Sequence, residues 1–331
     1  MKIEQLGEIG LIERITKKYK ADAESIAVGV GKDDCAVIDI DKARSSYKYL
    51  VVTTDTLQES THLPEGISPS QIGWSAIAVN LSDIAAMGAR PYAFTIAMGI
   101  PAHTDTAFVD AIVEGIEECA SSYNTAVVGG DITRSKELIL TGTCFGFTDK
   151  PVMRAGAKVG DLVCVTGSVG NAALGLKIIK EGLTVPKKVD KTAKRALFQP
   201  VPRIQEGISL ADSGLVTSML DISDGLALSL AELAKSSKVG FEIYEDKVPV
   251  LSDEIKTPLR GVNLRNLAFF YGGDYELLFT VDANVLESEL ERLRKEVGIS
   301  VIGKVMPSEE GIYFKKGDKK ERIKIKGYQH F

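Results

Sequence analysis

Histidine and cysteine are scarce in this chain, and each scarcity removes a class of chemistry. Only His62, His103 and His330 occur among 331 residues, and none has flanking sequence that suits a zinc site or a Ser-His-Asp triad. The four cysteines, Cys35, Cys119, Cys144 and Cys164, are scattered without a CxxC pair. They read as small buried apolar side chains rather than as disulfides or metal thiolates. No apolar run nears the roughly 20 residues that span a bilayer. The charged start Met1-Lys-Ile-Glu-Gln lacks an apolar signal core, so a cytoplasmic protein with no membrane partner is expected. A basic surface is missing too. The net charge of -5 and pI near 5.5 argue against a nucleic-acid partner. The local basic run from Lys315 to Lys326 reads as a solvated strand pair. Neither a Walker A pattern nor GxGxxG is present.

What the chain has instead is aspartate in the company of small residues. The most informative stretch is Asn80-Leu-Ser-Asp83-Ile-Ala-Ala-Met-Gly88-Ala-Arg-Pro91. It sets a carboxylate inside a helix of small residues, with no Lys or Arg one turn away to pair with it. An unpaired buried carboxylate is costly. Further aspartates sit in Gly31-Lys-Asp33-Asp34, Thr53-Thr54-Asp55, Gly129-Gly130-Asp131, Asp221-Ile-Ser223-Asp224-Gly225 and Gly272-Gly273-Asp274. Nearly all fall at expected strand ends or helix starts, where open α/β sheets bind ligands. Any one of these could be a turn. Together, converging short carboxylates call for divalent cations, and hard oxygen ligands suit Mg²⁺.

With 44% hydrophobic and 26% charged residues, the chain is long enough for two ordinary globular domains. In the first half the pattern predicts helices over 6–19, 68–87 and 107–121. Strands are expected over 26–30, 35–40, 47–54, 93–98, 126–129 and 138–147. Residues 148–156 carry turn formers without periodicity, as a linker would. The second half is expected to hold strands at 161–166, 241–244, 275–281 and 300–305 and helices at 171–181, 191–198, 203–213 and 285–297. A further helix is expected over 223–234, N-capped by Ser223 or Asp224, and a hairpin around Gly317-Asp318. The fold class is α/β (α+β), with two mixed domains, 1–150 and 151–331.

Glycine-rich turns supply the other half of a nucleotide site. Val128-Gly129-Gly130-Asp131 lets backbone N–H groups approach a phosphate. Thr166-Gly167-Ser168-Val-Gly170-Asn171 leads from a strand into a helix, as anion cradles do, although a tight connection explains it equally. Arg134 and Arg154 are candidates to pin phosphate oxygens, with exposed arginine as the plain alternative. His62 could bind an anionic substrate, although a lone histidine is more often structural.

In this order, the motifs resemble the thiamine-monophosphate kinase family, within the aminoimidazole-ribonucleotide-synthetase-like ATP-binding superfamily. The likeness runs from Leu6-Gly-Glu to Gly327-Tyr-Gln-His-Phe331. Two positions depart from the family pattern: Lys32 in Gly-Lys-Asp-Asp, and Gly273 where Gly-Glu-Asp-Tyr-Glu is usual. The resemblance implies an N-terminal sheet that pairs across a homodimer and a C-terminal domain completing the site. It implies direct in-line transfer from ATP to thiamine monophosphate with several Mg²⁺ ions, the last step in making thiamine diphosphate. Carried over by position, Asp34, Thr53, Thr54, Asp55, Asp83, Asp131, Asp221 and Asp224 would be metal ligands. Of these, Asp34, Asp55, Asp83 and Asp224 would be closest to the chemistry. Gly130, Asp131, Arg154 and Ser223 would contact ATP. His62, an acid of the Asp274 to Glu276 segment and an aromatic near Tyr328 or Phe331 would hold thiamine monophosphate. A sister synthetase that activates another oxygen with ATP, and a nucleotide-binding scaffold without catalysis, remain as alternatives.

Overall fold

The computed structural model describes residues 2–19, 24–28, 37–44, 47–255, 259 and 261–328. Asp33, Asp34, Cys35, His330 and Phe331 lie outside the described residues. The chain divides into two compact units, Met1–Ile84 with Ala89–Asp149, and Ala85–Gly88 with Lys150–Phe331.

The first unit contains α1 (Ile3–Thr16), a short strand pair β1 (Ile26–Val28) and β2 (Val37–Ile38), and α2 (Ile40–Arg44). There follow β3 (Tyr49–Gln58), α3 (Glu59–His62), α4 (Pro69–Ala86), β4 (Arg90–Ile100), α5 (Thr106–Ser122), β5 (Ala126–Arg134) and β6 (Ile139–Thr148). Its four-stranded sheet has the order β3-β6-β4-β5, with β4 and β5 parallel and the other pairs antiparallel. Side chains alternate between the two faces of a strand. Phe94, Ile96 and Met98 of β4 are buried, while Ala97 between them is exposed. Helix α5 buries Val109, Ile112, Val113 and Ile116 at helical spacing. The two long helices approach closely because Gly73 and Gly115 carry no Cβ. One there would strike the carbonyl oxygens of Ile112 and Ser70. The opposite sheet face is open, with Leu50, Val52, Thr54 and Thr56 of β3 exposed.

The second unit runs through β7 (Leu162–Thr166), α6 (Asn171–Glu181), α7 (Lys187–Phe198), α8 (Ile204–Ser213), β8 (Val216–Asp221), α9 (Leu226–Ser237) and β9 (Gly240–Tyr244). After these come α10 (Leu264–Phe270), β10 (Leu277–Val281), α11 (Glu287–Val297), β11 (Ile299–Met306) and the hairpin β12 (Ile312–Lys316) and β13 (Lys319–Arg322). The sheet order is β13-β12-β9-β11-β7-β10-β8, antiparallel except for β12 beside β9. Every residue of β10 is buried, as expected of a strand covered on both faces. Val163, Val165, Leu220, Phe241, Ile243, Leu278, Phe269 and the apolar side of α9 form its largest core cluster. The basic run near the end is the expected strand pair. Lys315 and Lys320 both reach Glu242, at 3.1 and 2.6 Å.

Two expectations are corrected, and two elements lie outside them. Helix α9 begins at Leu226, with Gly225 at φ +106° as its N-cap residue, so Ser223 and Asp224 belong to the preceding loop. Strand β5 does not end at Gly129 but continues through Gly130 and Asp131 to Arg134. Strand β8 and helix α10 were not anticipated: Val-Thr-Ser-Met-Leu-Asp is weak in β-branched residues, and seven residues are too few to show a helical period.

Candidate active site

Strand β3 and helix α4 build the first group of candidate residues. Asn80 is fully buried; its Nδ2 donates to the Ala76 carbonyl and its Oδ1 accepts the Asp55 N–H, both at 3.0 Å. Asp83, three residues further along and so on the same helix side, accepts a 2.5 Å hydrogen bond from the Thr53 hydroxyl. Thr53 and Asp55 are two apart in β3 and share a face. One helix turn thus matches two strand residues: Asp83 meets the Thr53 hydroxyl, and Asp55 stands on the same face of β3, its N–H tied to Asn80. Asn80 was part of the quoted motif, but its tie to β3 was not legible there. An amide with a buried helix position and a strand N–H as partner leaves no pattern in sequence.

Two other expected ligands are not brought to this group. The Thr54 hydroxyl turns to the open face, where it donates to the Gly142 carbonyl at 2.6 Å and neighbours the Thr143 hydroxyl at 3.2 Å. Asp131 pairs with Ala97, Ala97 with Thr141 and Thr141 with Thr56, which sets Asp131 on that same open face. Within this sheet, β3 and β5 are opposite edges, three strand spacings or about 14 Å apart. Gly130 and Asp131 lie not in a turn but on an edge strand, whose outward N–H and C=O groups have no partner within the sheet. His62 ends α3, where its Nδ1 accepts the Gln58 N–H at 3.0 Å. The ring hydrogen is therefore on Nε2, and the imidazole presents a donor. Glu137 fixes this turn by accepting from Gln58 Nε2 at 2.7 Å and Ser60 N–H at 2.9 Å, donors that hold its carboxyl below the usual range.

In the second unit, Asp221 ends β8 and Ser223 and Asp224 follow in the loop. Two segments hold this loop. Gly273 N–H donates to the Ser223 carbonyl at 2.8 Å, Tyr275 N–H to Ile222 at 3.0 Å, and Ile222 N–H to Glu276 at 2.7 Å. From the chain end, Tyr328 N–H donates to the Asp224 carbonyl at 3.1 Å. Gly327 permits that approach, because a Cβ there would collide with the Asp224 carbonyl and the Leu228 side chain.

The acids expected to meet the substrate are committed elsewhere. Glu276, with 5% of its side chain exposed, takes two hydrogen bonds from Arg203, Nε at 2.8 Å and Nη2 at 2.6 Å. It also accepts from Thr166 Oγ1 at 2.7 Å and Ser168 N–H at 3.4 Å. Burial works against the Arg203 charge, but the facing Glu276 and Glu206 outweigh it and raise its pKa. Asp274 accepts the N–H groups of Gly170 at 2.6 Å and Ala172 at 3.1 Å. Burial pushes its carboxyl up to about 7 despite these donors, with Glu276 adding to the rise. The anion-cradle reading of the Thr166–Asn171 turn is thereby overturned: the N–H groups at the start of α6 already hold a carboxyl group of the chain itself, that of Asp274. Arg154 is paired as well, with Glu232 of α9 at 2.7 Å. Both side chains are about half exposed, and such pairs exchange easily.

The chemistry of the donors suits Mg²⁺. Thr53, Asp55 and Asp83 offer hard oxygens only, without histidine or thiol. Among the described residues no group of three or more His, Cys, Asp or Glu could hold a metal ion by itself. Mg²⁺ commonly takes only one or two carboxylates and completes its shell with water and substrate phosphates. Also among the described residues, no helix is long and apolar enough to cross a membrane.

Comparison with known proteins agrees with both halves. The family described as AIR synthase related protein matches through its N-terminal domain over residues 32–148 and its C-terminal domain over residues 158–315. This defines a two-domain, AIR synthase-like protein with mixed sheets. A thiamine-monophosphate kinase of Pyrococcus horikoshii is 36% identical over 290 residues, 87% of this chain and 88% of that protein. The chain belongs to the thiamine-monophosphate kinase family. The crystal structure of the kinase of that name from Stenotrophomonas maltophilia K279a superposes with a TM-score of 0.80 at 31% identity, covering 92% of this chain and 95% of that one. A structure described as AaThiL complexed with AMPPCP and TMP gives a TM-score of 0.77 at 30% identity, over 100% of this chain and 99% of that one.

Proposed function

We propose that this protein transfers the γ-phosphoryl group of ATP to thiamine monophosphate, giving thiamine diphosphate and ADP. The observation that carries the reading is the near full-length likeness to a relative complexed with AMPPCP and TMP. The Thr53–Asp83 pair, with Asp55 on the same face of β3, agrees with it.

Both reactants are phosphates, so their like charge opposes approach. The acceptor is a monoester with a second pKa of about 6, so its oxygen is ionised near neutral pH and needs no general base. That suits a site whose one histidine offers a donor. Bound Mg²⁺ would neutralise the β- and γ-phosphate oxygens and orient them in line. In the first unit Thr53, Asp55, Asp83 and Asp131 would be metal ligands, with Asp34 by resemblance alone, and in the second unit Asp221 and Asp224. Thr54 is left out of this set because its hydroxyl serves Gly142. Ser223, Gly130 and Arg154 would contact the nucleotide, Arg154 by exchanging Glu232 for a phosphate. His62 Nε2–H would donate to an acceptor phosphate oxygen, and Tyr328 would face the thiamine ring. Positioning and charge neutralisation then supply the rate.

A homodimer belongs to this proposal. The open sheet face exposes Leu50 and Val52, at 52% and 56%, and Asp55 and Asp131 lie on opposite edges. Both features support a second subunit meeting this sheet. A cytoplasmic location, where both substrates would be met, is part of the same reading.

The direct test supplies ATP, Mg²⁺ and thiamine monophosphate and follows thiamine diphosphate and ADP, with thiamine as control acceptor. Equal yields of both products with thiamine inert are expected. ADP without thiamine diphosphate would point to another acceptor, and no turnover with Mg²⁺-dependent ATP binding to a scaffold. Replacing His62 with Ala should raise KM for thiamine monophosphate about 10-fold, as loss of a hydrogen bond to a charged group does; an unchanged KM removes it from the acceptor site.

A further inference from the structure

The reaction leaves Arg203 and the acids of Asp274–Glu276 without a task, yet they form the densest polar network described in the second unit. Residues 273–276 face two ways. Their backbone is tied to the loop before α9 by the Gly273–Ser223, Tyr275–Ile222 and Ile222–Glu276 hydrogen bonds, at 2.8, 3.0 and 2.7 Å. Their side chains reach the opposite way, Asp274 to the first N–H groups of α6 and Glu276 to Thr166 and Arg203. Thr166 closes the ring by accepting the Leu277 N–H at 2.8 Å. Tyr275, at φ +52°, holds a left-handed conformation that an L-residue keeps only where its surroundings impose it.

The geometry points to Arg203 as a positioning residue that, through Glu276, fixes the Ile222–Asp224 loop for the metal-bound nucleotide. This rests on the proposal that Ser223 and Asp224 contact that ligand. The planar guanidinium engages both Glu276 oxygens at once, which fixes the rotation of the carboxylate as well as its distance; an ammonium group lacks that fork. Glu276 carries both the carboxylate that Arg203 and Thr166 hold and the carbonyl that accepts the Ile222 N–H, and Thr166 also holds the Leu277 amide, so anchoring the side chain anchors the segment bonded to Ile222. Arg203 need not touch substrate for this.

The test compares Arg203→Lys, Arg203→Met, Thr166→Val and Thr166→Ser with the wild type. Binding of AMPPCP with Mg²⁺ is measured by titration calorimetry, KM separately for ATP and thiamine monophosphate, and folding by circular dichroism and melting temperature. Arg203→Lys and Thr166→Val are expected to bind the analogue at least 10-fold more weakly. KM for ATP should rise in step, while KM for thiamine monophosphate stays within about 3-fold. Thr166→Ser, which keeps the hydroxyl, should restore wild-type affinity. Should Arg203→Met not fold, Arg203→Lys and Thr166→Val still decide. Variants that melt earlier yet bind the analogue as the wild type does would overturn the inference, because Arg203 would then only stabilise. Asp224→Asn is the control. If it weakens binding while Arg203→Lys does not, the positioning role alone fails. If Asp224→Asn leaves affinity unchanged, the loop is not a nucleotide site and the inference falls with that reading.

Discussion

Two groups of acidic residues, Asp55, Asp83 and Asp131 in the first unit and Asp274 and Glu276 in the second, are treated in opposite ways. In the first unit, Asp55 and Asp131 are exposed on strands of the four-stranded sheet, and Asp83 is half-buried on α4, where it accepts from the Thr53 hydroxyl. In the second unit, just before β10, Glu276 is buried against Arg203 and Asp274 against the start of a helix. Both kinds of acid sit in glycine- or threonine-rich motifs that look alike in sequence. The donors they meet after folding decide which carboxylates can take a cation and which have become part of the scaffold.

Replacing Asp83 with Asn should separate these roles most sharply. Turnover is expected to fall by roughly 10³-fold, about 4 kcal/mol in barrier, with the melting temperature nearly unchanged. If the variant instead unfolds and its activity per folded molecule persists, Asp83 is scaffold too and the contrast collapses.

A smaller effect is expected from Asp274→Asn, read through pH. The native carboxyl titrates at about 7 against an ordinary value of 3.8, chiefly through burial. The folded state therefore binds more protons than the unfolded one between those values, and this group's contribution to stability declines as pH rises from about 4 to about 7. Urea midpoints at pH 5 and pH 7.5 should show the wild type losing stability relative to the variant. A difference that does not change with pH would mean that the N–H donors, rather than burial, govern the group.

The smallest change in stability should come from Arg154→Ala. Its pair with Glu232 is half exposed, so unfolding free energy should move by no more than about 0.5 kcal/mol. KM for ATP should nevertheless rise, on the order of 10-fold for a lost charged hydrogen bond. An unchanged KM would return Arg154 to being a surface ion pair.

How far the sequence could be read follows the same division. Long periodic segments, such as α4, α5 and α6, were legible within a residue or two, because apolar spacing and glycine stops act locally. The Asp83 motif stands out as a candidate for the same reason: a carboxylate among small residues with no Lys or Arg one turn away along the chain is a local anomaly. What was not legible depended on distant partners. Nothing near Asp274 announces that three residues starting at Gly170 will approach it, and nothing near Glu276 points to Arg203, 73 positions earlier. The extension of β5 through Gly129-Gly130 depends on pairing with β4, which overrides the turn preference of glycine.

The cap on α6 has a consequence for anyone probing this molecule with small anions. Asp274 is a tethered ligand, held against the N–H groups of Gly170 and Ala172 at an effective concentration that dissolved phosphate or sulfate does not reach. The most phosphate-like turn in the second half of the sequence should therefore stay empty in soaking experiments. Shortening the tether with Asp274→Gly would open a vacancy of carboxylate size, and formate or acetate added to that variant is the natural guest to restore what the chain normally supplies from within.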